Sequence, residues 1–498
     1  MKLLSLQKIF FFITVTVAIS TVTVLANDPV ILRHADVLIG ERTETVNTRT
    51  LIGKVQLQQR NVFVTCDTAI QNLDANIFFL KGNVVIKQET LTLKSQSVVY
   101  DGNSNLATSD KKVFITDRNN KLVGNSGNYS TNSMIANFFE EVILEDDSIK
   151  IFANFITYHR QTTDSRAIGN VTVKSKNSNV FLQSDTIDNF PNLHKTVAWG
   201  NPVLFQIDTV WNSFNDENIE NSDNNFTVDT VGSNGIRPIE QSVSVTPLQN
   251  DFTLDTLSIK SDTMFAFREP ENEHYIFIGN VEFVRNDLQA KSVQAIYFST
   301  VEQIILAKNV VQNFLTTTVM DIENTTEYFE NTEHNNSLKK FEQAVIWLDS
   351  TQLHSDSIVI ILEESRLKNI HSFGNSIVIS LRDTVNLRRI DQLAGDEIIL
   401  FFANDSLRKI ESIGAAKSVF FSENSGVSDG LIEATSEKII IEIIEGKAEN
   451  IYLFNQIPGK YHPEPFVFGL ESNFYLPNFK KSDDIPIRPE IRHSKILE

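Results

Sequence analysis

The residues of this chain that could carry out chemistry are few and scattered. Adjacent carboxylates occur at several places, and two convergent carboxylates could act as general acid and base. Among these pairs are Glu140-Glu141, Asp146-Asp147, Glu363-Glu364 and Asp483-Asp484. Neighbouring residues of a strand point to opposite faces, so the members of such a pair do not converge by themselves. We interpret the pairs as solvated faces or turns.

The remaining reactive side chains are equally isolated. The nine histidines lack the local spacing of a metal site, and the closest two in sequence are His354 and His371. The single cysteine, Cys66, cannot form an intramolecular disulfide, and we interpret it as a small packed side chain. Walker A, HExxH, GxSxG and GxGxxG motifs are absent from the sequence. We therefore predict that the protein is not an enzyme and has no catalytic residues, metal site or cofactor.

The first 26 residues are typical of a secretory signal peptide. Lys2 and Lys8 form a positive segment before an apolar run that begins at Ile9, and Val24 and Ala26 occupy the −3 and −1 positions of a cleavage site. The uninterrupted apolar run is shorter than the ~20 residues of a spanning helix, which argues against the alternative, a membrane anchor. We predict cleavage after Ala26 and a location outside the cytoplasm.

The overall charge excludes one class of partner. The chain of 498 residues carries 63 acidic and 44 basic side chains, a formal net charge of −19. A nucleic-acid-binding surface needs clustered positive charge to neutralise phosphates. We therefore predict that nucleic acid is not a partner.

The dominant feature of the sequence is a repeat of 29 residues. In one frame a valine recurs and is followed two residues later by another aliphatic residue, and in another frame a tyrosine recurs. The valines are Val55, Val84, Val113, Val142 and Val171, and the tyrosines are Tyr100, Tyr129 and Tyr158. After a gap the same spacing returns between Val281 and Val310. Since independent frames share one spacing, each 29-residue unit should be one structural unit.

Within each unit the apolar residues alternate, as in half-buried strands. Turn residues such as Asp101-Gly102-Asn103-Ser104 separate the runs, so a unit accommodates two strands of about ten residues. We see no long helical pattern in the mature chain. The sequence therefore predicts an all-β fold, an elongated antiparallel stack of hairpins whose apolar face is covered by a second wall of sheet.

The repeats also predict the domain organisation. After the signal peptide, residues 27–210 form a first stack and residues 251–457 a second, less regular one. Residues 211–250 are rich in Asn, Asp and Ser and read as a linker or long loop. Residues 458–498 contain six of the 12 prolines and are basic near the end. We expect this tail to be solvated.

The repeated pattern resembles the OstA-like, or LptA-type, family of lipopolysaccharide-transport proteins, in the long form found in Bacteroidetes. The best-matching stretch runs from Leu80-Lys81-Gly82-Asn83-Val84 to Tyr100-Asp101-Gly102. The resemblance implies a V-shaped β-jellyroll, or β-taco, and the two stacks of this chain predict two lobes. It implies a periplasmic location, with association to the outer membrane left open.

The same resemblance implies the ligand and the partners. The expected ligand is lipopolysaccharide, with the acyl chains of lipid A held in an apolar groove. The expected partners are other jellyroll components of a transport bridge, joined head to tail through edge strands, and the same edges would allow a homo-oligomer. The residues predicted to line the groove are those that recur in register: Val84, Ile86, Leu91, Leu93, Val113, Ile115, Leu122, Val142, Leu144, Ile151, Val171 and Val173. The alternative for each of them is closed core.

Two other functions stay open from the sequence. A structural or adhesive secreted β-repeat protein would have an interior closed by packing and would take up no lipid. A secreted β-solenoid enzyme acting on polysaccharide would need a ladder of Asp, Glu or Arg at one repeat position. The recurring positions are aliphatic, Tyr, Gly and Asn instead, which disfavours the enzyme.

Overall fold

The structure of the protein is a computed structural model. It describes residues 28–43, 47–211, 252–269, 272–286, 288–307, 343–382, 386–424, 426–444, 446–455 and 458–492. The predicted signal peptide, residues 1–26, lies outside the described residues. So does the predicted linker, except for Trp211, the last residue of a strand.

The described residues form thirty strands joined in one hydrogen-bonded antiparallel sheet. The first sixteen are β1 (Ile31–His34), β2 (Val37–Arg42), β3 (Asn47–Gln59), β4 (Val62–Asn72), β5 (Ile77–Gln88), β6 (Leu91–Asp101), β7 (Leu106–Ser109), β8 (Val113–Asp117), β9 (Asn120–Gly124), β10 (Ser126–Ser130), β11 (Ile135–Glu145), β12 (Ile149–His159), β13 (Ser165–Ser175), β14 (Val180–Phe190), β15 (Lys195–Trp199) and β16 (Val203–Trp211).

The remaining strands continue the same sheet. They are β17 (Phe252–Lys260), β18 (Thr263–Glu269), β19 (Asn272–Val284), β20 (Gln289–Phe298), β21 (Gln303–Ala307), β22 (Ala344–Leu348), β23 (Thr351–Ser355), β24 (Ser357–Glu363), β25 (Arg366–Leu381), β26 (Ile390–Ala403), β27 (Ser406–Asn424), β28 (Val427–Ile444), β29 (Lys447–Phe454) and β30 (Gly459–Pro463). The described helices are four short 3₁₀ turns, at Pro191–Leu193, Ser299–Val301, Glu464–Phe466 and Glu471–Phe474. The predicted all-β repeat stack, with strands of about ten residues, is confirmed.

The sheet is folded lengthwise into two walls. Eight of the long strands pair with one short strand along one half and with a different short strand along the other half; β6, for example, pairs with β7 and with β8. We call the wall that contains β2, β7, β10, β15, β18, β21, β24 and β29 the first wall. The wall that contains β1, β8, β9, β16, β17, β22, β23 and β30 is the second wall. The fourteen long strands run through both.

The fold line between the walls is a two-residue bulge that recurs along the chain. In β5 the pairing passes from Lys81–Ser97 to Val84–Ser95 and skips Gly82 and Asn83. Both skipped residues are left-handed, with φ of 74° and 48°. This bulge resolves the break in alternation between Leu93 and Val98, because the strand turns there from one wall to the other.

The fold line explains why Gly-Asn precedes three of the repeated valines, Val84, Val171 and Val281. A Cβ on Gly82 would lie 2.3 Å from Oδ2 of Asp67, which comes from the neighbouring hairpin. The Asn83 side chain donates a hydrogen bond to that same carboxylate, at 2.9 Å. The same contact recurs in the second stack, where Asn280 donates to Asp262 at 2.9 Å. Glycine is therefore required for both its conformation and its lack of a side chain.

The two stacks predicted from the sequence are joined edge to edge in the sheet. β16 pairs with β17 along its whole length in the second wall, and β15 pairs with β18 in the first wall. One apolar core cluster runs from Leu51 to Ile441 between the walls. The packing therefore continues from one stack into the other.

The C-terminal tail differs from the expected solvated segment. After β30 the chain crosses the outer face of the second wall and runs back toward β14. Val467 packs on Phe421 near the C-terminal end of the sheet, and Ile491 packs beside Phe181 in β14. Between them, Gln352 and Ser482 exchange two hydrogen bonds of 2.9 Å. The tail is ordered because the second wall is apolar on its outer face as well in this half, and that face needs cover.

Candidate functional site

The twelve predicted groove residues all lie in the second wall and face the space between the walls. Each is at most 6% exposed, and all belong to the same core cluster. They pack against first-wall residues that the sequence reasoning did not select, including Phe78, Phe138 and Ile156. In this state the first stack is closed core, which is the alternative that the sequence left open. Lipid contact by these twelve residues stays a prediction.

The first stack is also closed along the rim, the side opposite the fold line, where the hairpin turns of both walls meet. At the end of β3, Gln59 accepts a hydrogen bond from the Tyr100 hydroxyl at 2.5 Å and donates one to the Gly102 carbonyl at 2.9 Å. One repeat later, Gln88 accepts from Tyr129 at 2.7 Å and donates to the Thr131 carbonyl at 2.9 Å.

The next repeat replaces the glutamine by an ion pair. Arg160 Nε lies 3.2 Å from Oδ2 of Asp117, and the two side chains are 5% and 0% exposed. The guanidinium also donates to Glu89 at 3.1 Å. Burial raises the pKa of Tyr129 and of Tyr158, beside these groups, to about 12, so both hydroxyls stay protonated at neutral pH.

Two further contacts link the walls, one where the first stack meets the second and one within the second stack. Tyr297 donates to Gln206 at 2.5 Å, and Arg285 lies 3.7 Å from Asp405. We call the five cross-wall contacts the rim seam: Gln59–Tyr100, Gln88–Tyr129, Asp117–Arg160, Gln206–Tyr297 and Arg285–Asp405.

Near the C-terminal end the two walls separate and leave a cavity of about 420 Å³ that opens at the rim. Both walls line this cavity with apolar side chains that face the space between the walls. The second wall supplies Val378, Leu393 and Phe420, and the first wall supplies Leu407, Ile410, Ile441 and Ile443. We call this space the rim cavity.

The charged groups of the rim cavity pair along one wall. Arg382 lies 3.7 Å from Asp391 and 3.8 Å from Glu423, and all three belong to the second wall or its turns. Burial raises the pKa of Asp391 to about 6, although its carboxylate accepts the Phe421 N–H at 2.9 Å. The cavity therefore has an apolar floor and a small charged margin.

Two other spaces differ from the rim cavity in character. One of about 30 Å³ lies between the walls beside Val173 and Met264, and it is too small for anything but water. The other, of about 540 Å³, lies on the outer face of the second wall under the tail. Lys417, Glu433 and Lys460 line it together with Val419 and Leu476, so it differs from the rim cavity in lying outside the space between the walls.

The acidic pairs singled out in the sequence do not form sites. Glu140 and Glu141 occupy the fold-line bulge of β11, with φ of 60° and 49°. Asp146 caps a turn through the N–H groups of Ser148 and Ile149. Within the described ranges, no group of three or more His, Cys, Asp or Glu side chains could hold a metal ion.

Cys66 is a packed side chain, as predicted. It is 5% exposed, and its thiol donates to the Thr68 carbonyl at 3.3 Å. Serines at other fold-line positions make the same contact, as Ser261 does with Thr263. Burial raises the pKa of the Cys66 thiol to about 11, so it is inert at neutral pH.

Nothing in the part of the chain that the structure describes forms a helix long and apolar enough to cross a membrane.

Comparison with known proteins supports the resemblance inferred from the repeats. Residues 27–210 match the family model described as OstA-like protein, and over those residues the predicted family is confirmed. Among solved structures, the chain is similar to LptH, described as the LptA-homologous periplasmic component of the conserved lipopolysaccharide transport device from Pseudomonas aeruginosa. That alignment has 17% identity and a TM-score of 0.21, and it covers 22% of this chain and 82% of LptH. No curated protein matches the chain.

Proposed function

We propose that this chain, which is OstA-like over residues 27–210, is a non-enzymatic periplasmic protein that shields acyl chains of lipopolysaccharide on their way to the outer membrane. The observation that carries the proposal is the rim cavity, where an apolar space between the walls opens to the outside. Its volume of about 420 Å³ falls within the ~300–1,000 Å³ of ligand pockets.

The physical reason for such a site is the cost of exposing hydrocarbon. Each methylene contributes about 0.8 kcal/mol when it leaves water, so an exposed chain of about twelve carbons costs on the order of 10 kcal/mol. Contact with Phe420, Ile441 and Leu393 would remove that cost for the part of the chain inside the rim cavity. No covalent chemistry is needed.

The charges favour holding the acyl chain alone. The protein has a net charge of −19, and Asp391 and Glu423 at the cavity margin outnumber Arg382. An anionic head group would stay outside, in the solvent near the rim, while the acyl chain enters. This arrangement would make binding depend on chain length more than on head-group structure.

The ends of the sheet are suited to the expected head-to-tail partners. β2 is exposed along its whole length and carries Val37, Leu38 and Ile39 at about half exposure. At the other end, β29 exposes Ile451 and Tyr452. Unpaired edges of this kind can accept a further strand. We propose that they pair with other jellyroll proteins or with another copy of this chain.

A photocrosslinking experiment tests the proposed function. A photoreactive phenylalanine analogue replaces Phe420 inside the rim cavity or, as the matched control, Phe63, which is 51% exposed in β4. In cells we expect covalent capture of glycolipid at position 420 and none at 63. Equal yields at both positions, or none at 420 in folded protein, would refute lipid holding.

The second candidate function is a structural or adhesive repeat protein. The closed core of the first stack favours it, because residues such as Ile86 and Leu91 are wholly buried by the protein itself. It predicts that the purified protein carries no lipid and that an acyl probe does not bind. Extraction of the purified protein followed by mass spectrometry separates the two functions.

A further inference from the structure

We infer that the rim seam is a latch that limits how far along the molecule an acyl chain can enter. The inference rests on the proposed function and extends it from the rim cavity to the closed first stack. In the opened state the twelve predicted groove residues would become a continuation of the cavity, since they line the same space between the walls.

We call each cross-wall contact of the rim seam a rung. In the two neutral rungs of the first stack, a glutamine of the second wall both accepts a hydrogen bond from the first wall and donates one to it. Gln88 accepts from the Tyr129 hydroxyl and donates to the Thr131 main chain, and both of these residues belong to the first wall. Gln88 and Tyr129 are 2% and 0% exposed. An acyl chain entering sideways between the walls must therefore separate these atoms first.

The rungs follow the repeat. Gln59, Gln88 and Asp117 are spaced by 29 residues, and so are Tyr100, Tyr129 and Tyr158. The first-wall groups that complete each rung, at Gly102, Thr131 and Arg160, have the same spacing. One rung per repeat means that the rim can open in steps, each step exposing the interior of one hairpin unit.

The position of the rim cavity agrees with this role. Where the cavity opens, Arg382 pairs with Asp391 and Glu423 of its own wall. Among the described first-wall residues that line the cavity, Leu407 and Ala448 lie nearest the rim, and neither side chain has a polar group. The walls are therefore separated at a place where these lining residues make no polar contact across the rim.

The energetic balance permits opening by lipid. A neutral rung consists of two hydrogen bonds, each of which contributes little net free energy because water replaces it. Burial of several methylenes against the separated walls contributes more than one such rung. The ionic rung, Asp117–Arg160, should be the hardest to open, since separation leaves charges at a rim that was dry.

The test compares two capture sites in purified full-length protein with deep-rough lipopolysaccharide as the probe. The photoreactive analogue is placed at Phe420 in the rim cavity or at Ile115 in the closed stack. Each is combined with Y100F/Y129F, which removes two seam hydroxyls, or with the control Y461F, whose hydroxyl bonds to Asp429 at the surface. If the double variant does not fold, Y129F alone serves.

We expect capture at position 115 to rise about three- to tenfold in the seam variant and to stay unchanged in the Y461F control, with capture at 420 similar throughout. Unchanged capture at 115, in a seam variant whose melting temperature is lowered, would mean that the seam only stabilises the fold, and it would overturn the latch. If no protein shows capture at position 420, including the protein whose seam is unsubstituted, the result would instead count against lipid holding itself.

Discussion

Two aspartates at the rim show how the first stack differs from the C-terminal end. Asp117 faces Arg160 of the opposite wall, and the pair holds the rim closed. Asp391 occupies the corresponding rim end of its strand, but Arg382, its partner, belongs to the same wall. The interior of both regions is equally aliphatic. The comparison shows that cross-wall polar contacts at the rim, and not core composition, distinguish a sealed segment from an open one.

The largest loss of stability is expected when the tail is removed from the C-terminal half. Removal of residues 464–498 uncovers Phe421, Ile377 and Ile379 on the outer face of the second wall. Several buried apolar side chains at about 1.5–3 kcal/mol each predict a loss of more than ~4 kcal/mol there. Hydrogen exchange should quicken in β25 to β28 and stay slow in β3 to β6. If hydrogen exchange became faster to the same extent in β3 to β6 as in β25 to β28, the two regions would depend equally on the tail for their stability.

Removal of the ionic rung should have the next largest effect. Arg160→Ala leaves Asp117 buried without its partner, and we expect the free energy of unfolding to fall by about 3–5 kcal/mol. The matched control is Arg382→Ala at the rim cavity, where the side chain is 31% exposed and the ion pairs are long. That substitution should cost less than about 1 kcal/mol. Urea unfolding of both variants measures the difference, and similar losses would contradict the comparison.

The pH dependence of the cavity margin gives a third prediction. The pKa of Asp391 is about 6 in the folded protein, above its value in the unfolded chain, so the folded state binds the proton more tightly. The group therefore destabilises the protein above pH 6, and this penalty, up to about 3 kcal/mol, disappears as the pH falls toward 4. Asp391→Asn should raise the unfolding free energy at pH 7.5.

The measurement is the difference between wild type and Asp391→Asn at a series of pH values. The advantage of the variant should shrink between pH 7 and pH 4.5. An advantage that stays constant over that range would mean that the Asp391 carboxylate keeps an ordinary pKa and that the rim cavity is more open to water than the burial of this group indicates.

The smallest effect is expected for a single neutral rung. Tyr129→Phe leaves the Gln88 carbonyl oxygen without its donor in a buried place, which should cost about 1–2 kcal/mol. The control Tyr452→Phe removes a hydroxyl from the exposed edge strand β29, where water can replace the bond to Glu442, and should be nearly neutral. Equal melting temperatures for the two variants would argue against a dry seam.

Much of the fold follows from local patterns in the sequence. The two-residue alternation of Val113 and Ile115 places both on the face between the walls, because strand geometry leaves no other choice once one face is apolar. Gly82 and Asn83 mark the fold line, since few residues adopt left-handed conformation and only glycine leaves space for Asp67. The sequence shows the regular spacing of the recurring tyrosines, but it does not show which residues accept their hydrogen bonds.

The repeat, the strands, the apolar side of each strand and the resemblance to OstA-like proteins follow from the sequence alone. The way in which the two walls face each other depends on the folded sheet. Tyr129 meets Gln88 across 41 positions, and Arg285 meets Asp405 across 120, because the two walls are offset along the stack. That offset is a property of the whole folded sheet. For this reason the sequence could identify residues that face the space between the walls, whereas the closed rim, the rim cavity and the path of the tail depend on the three-dimensional arrangement.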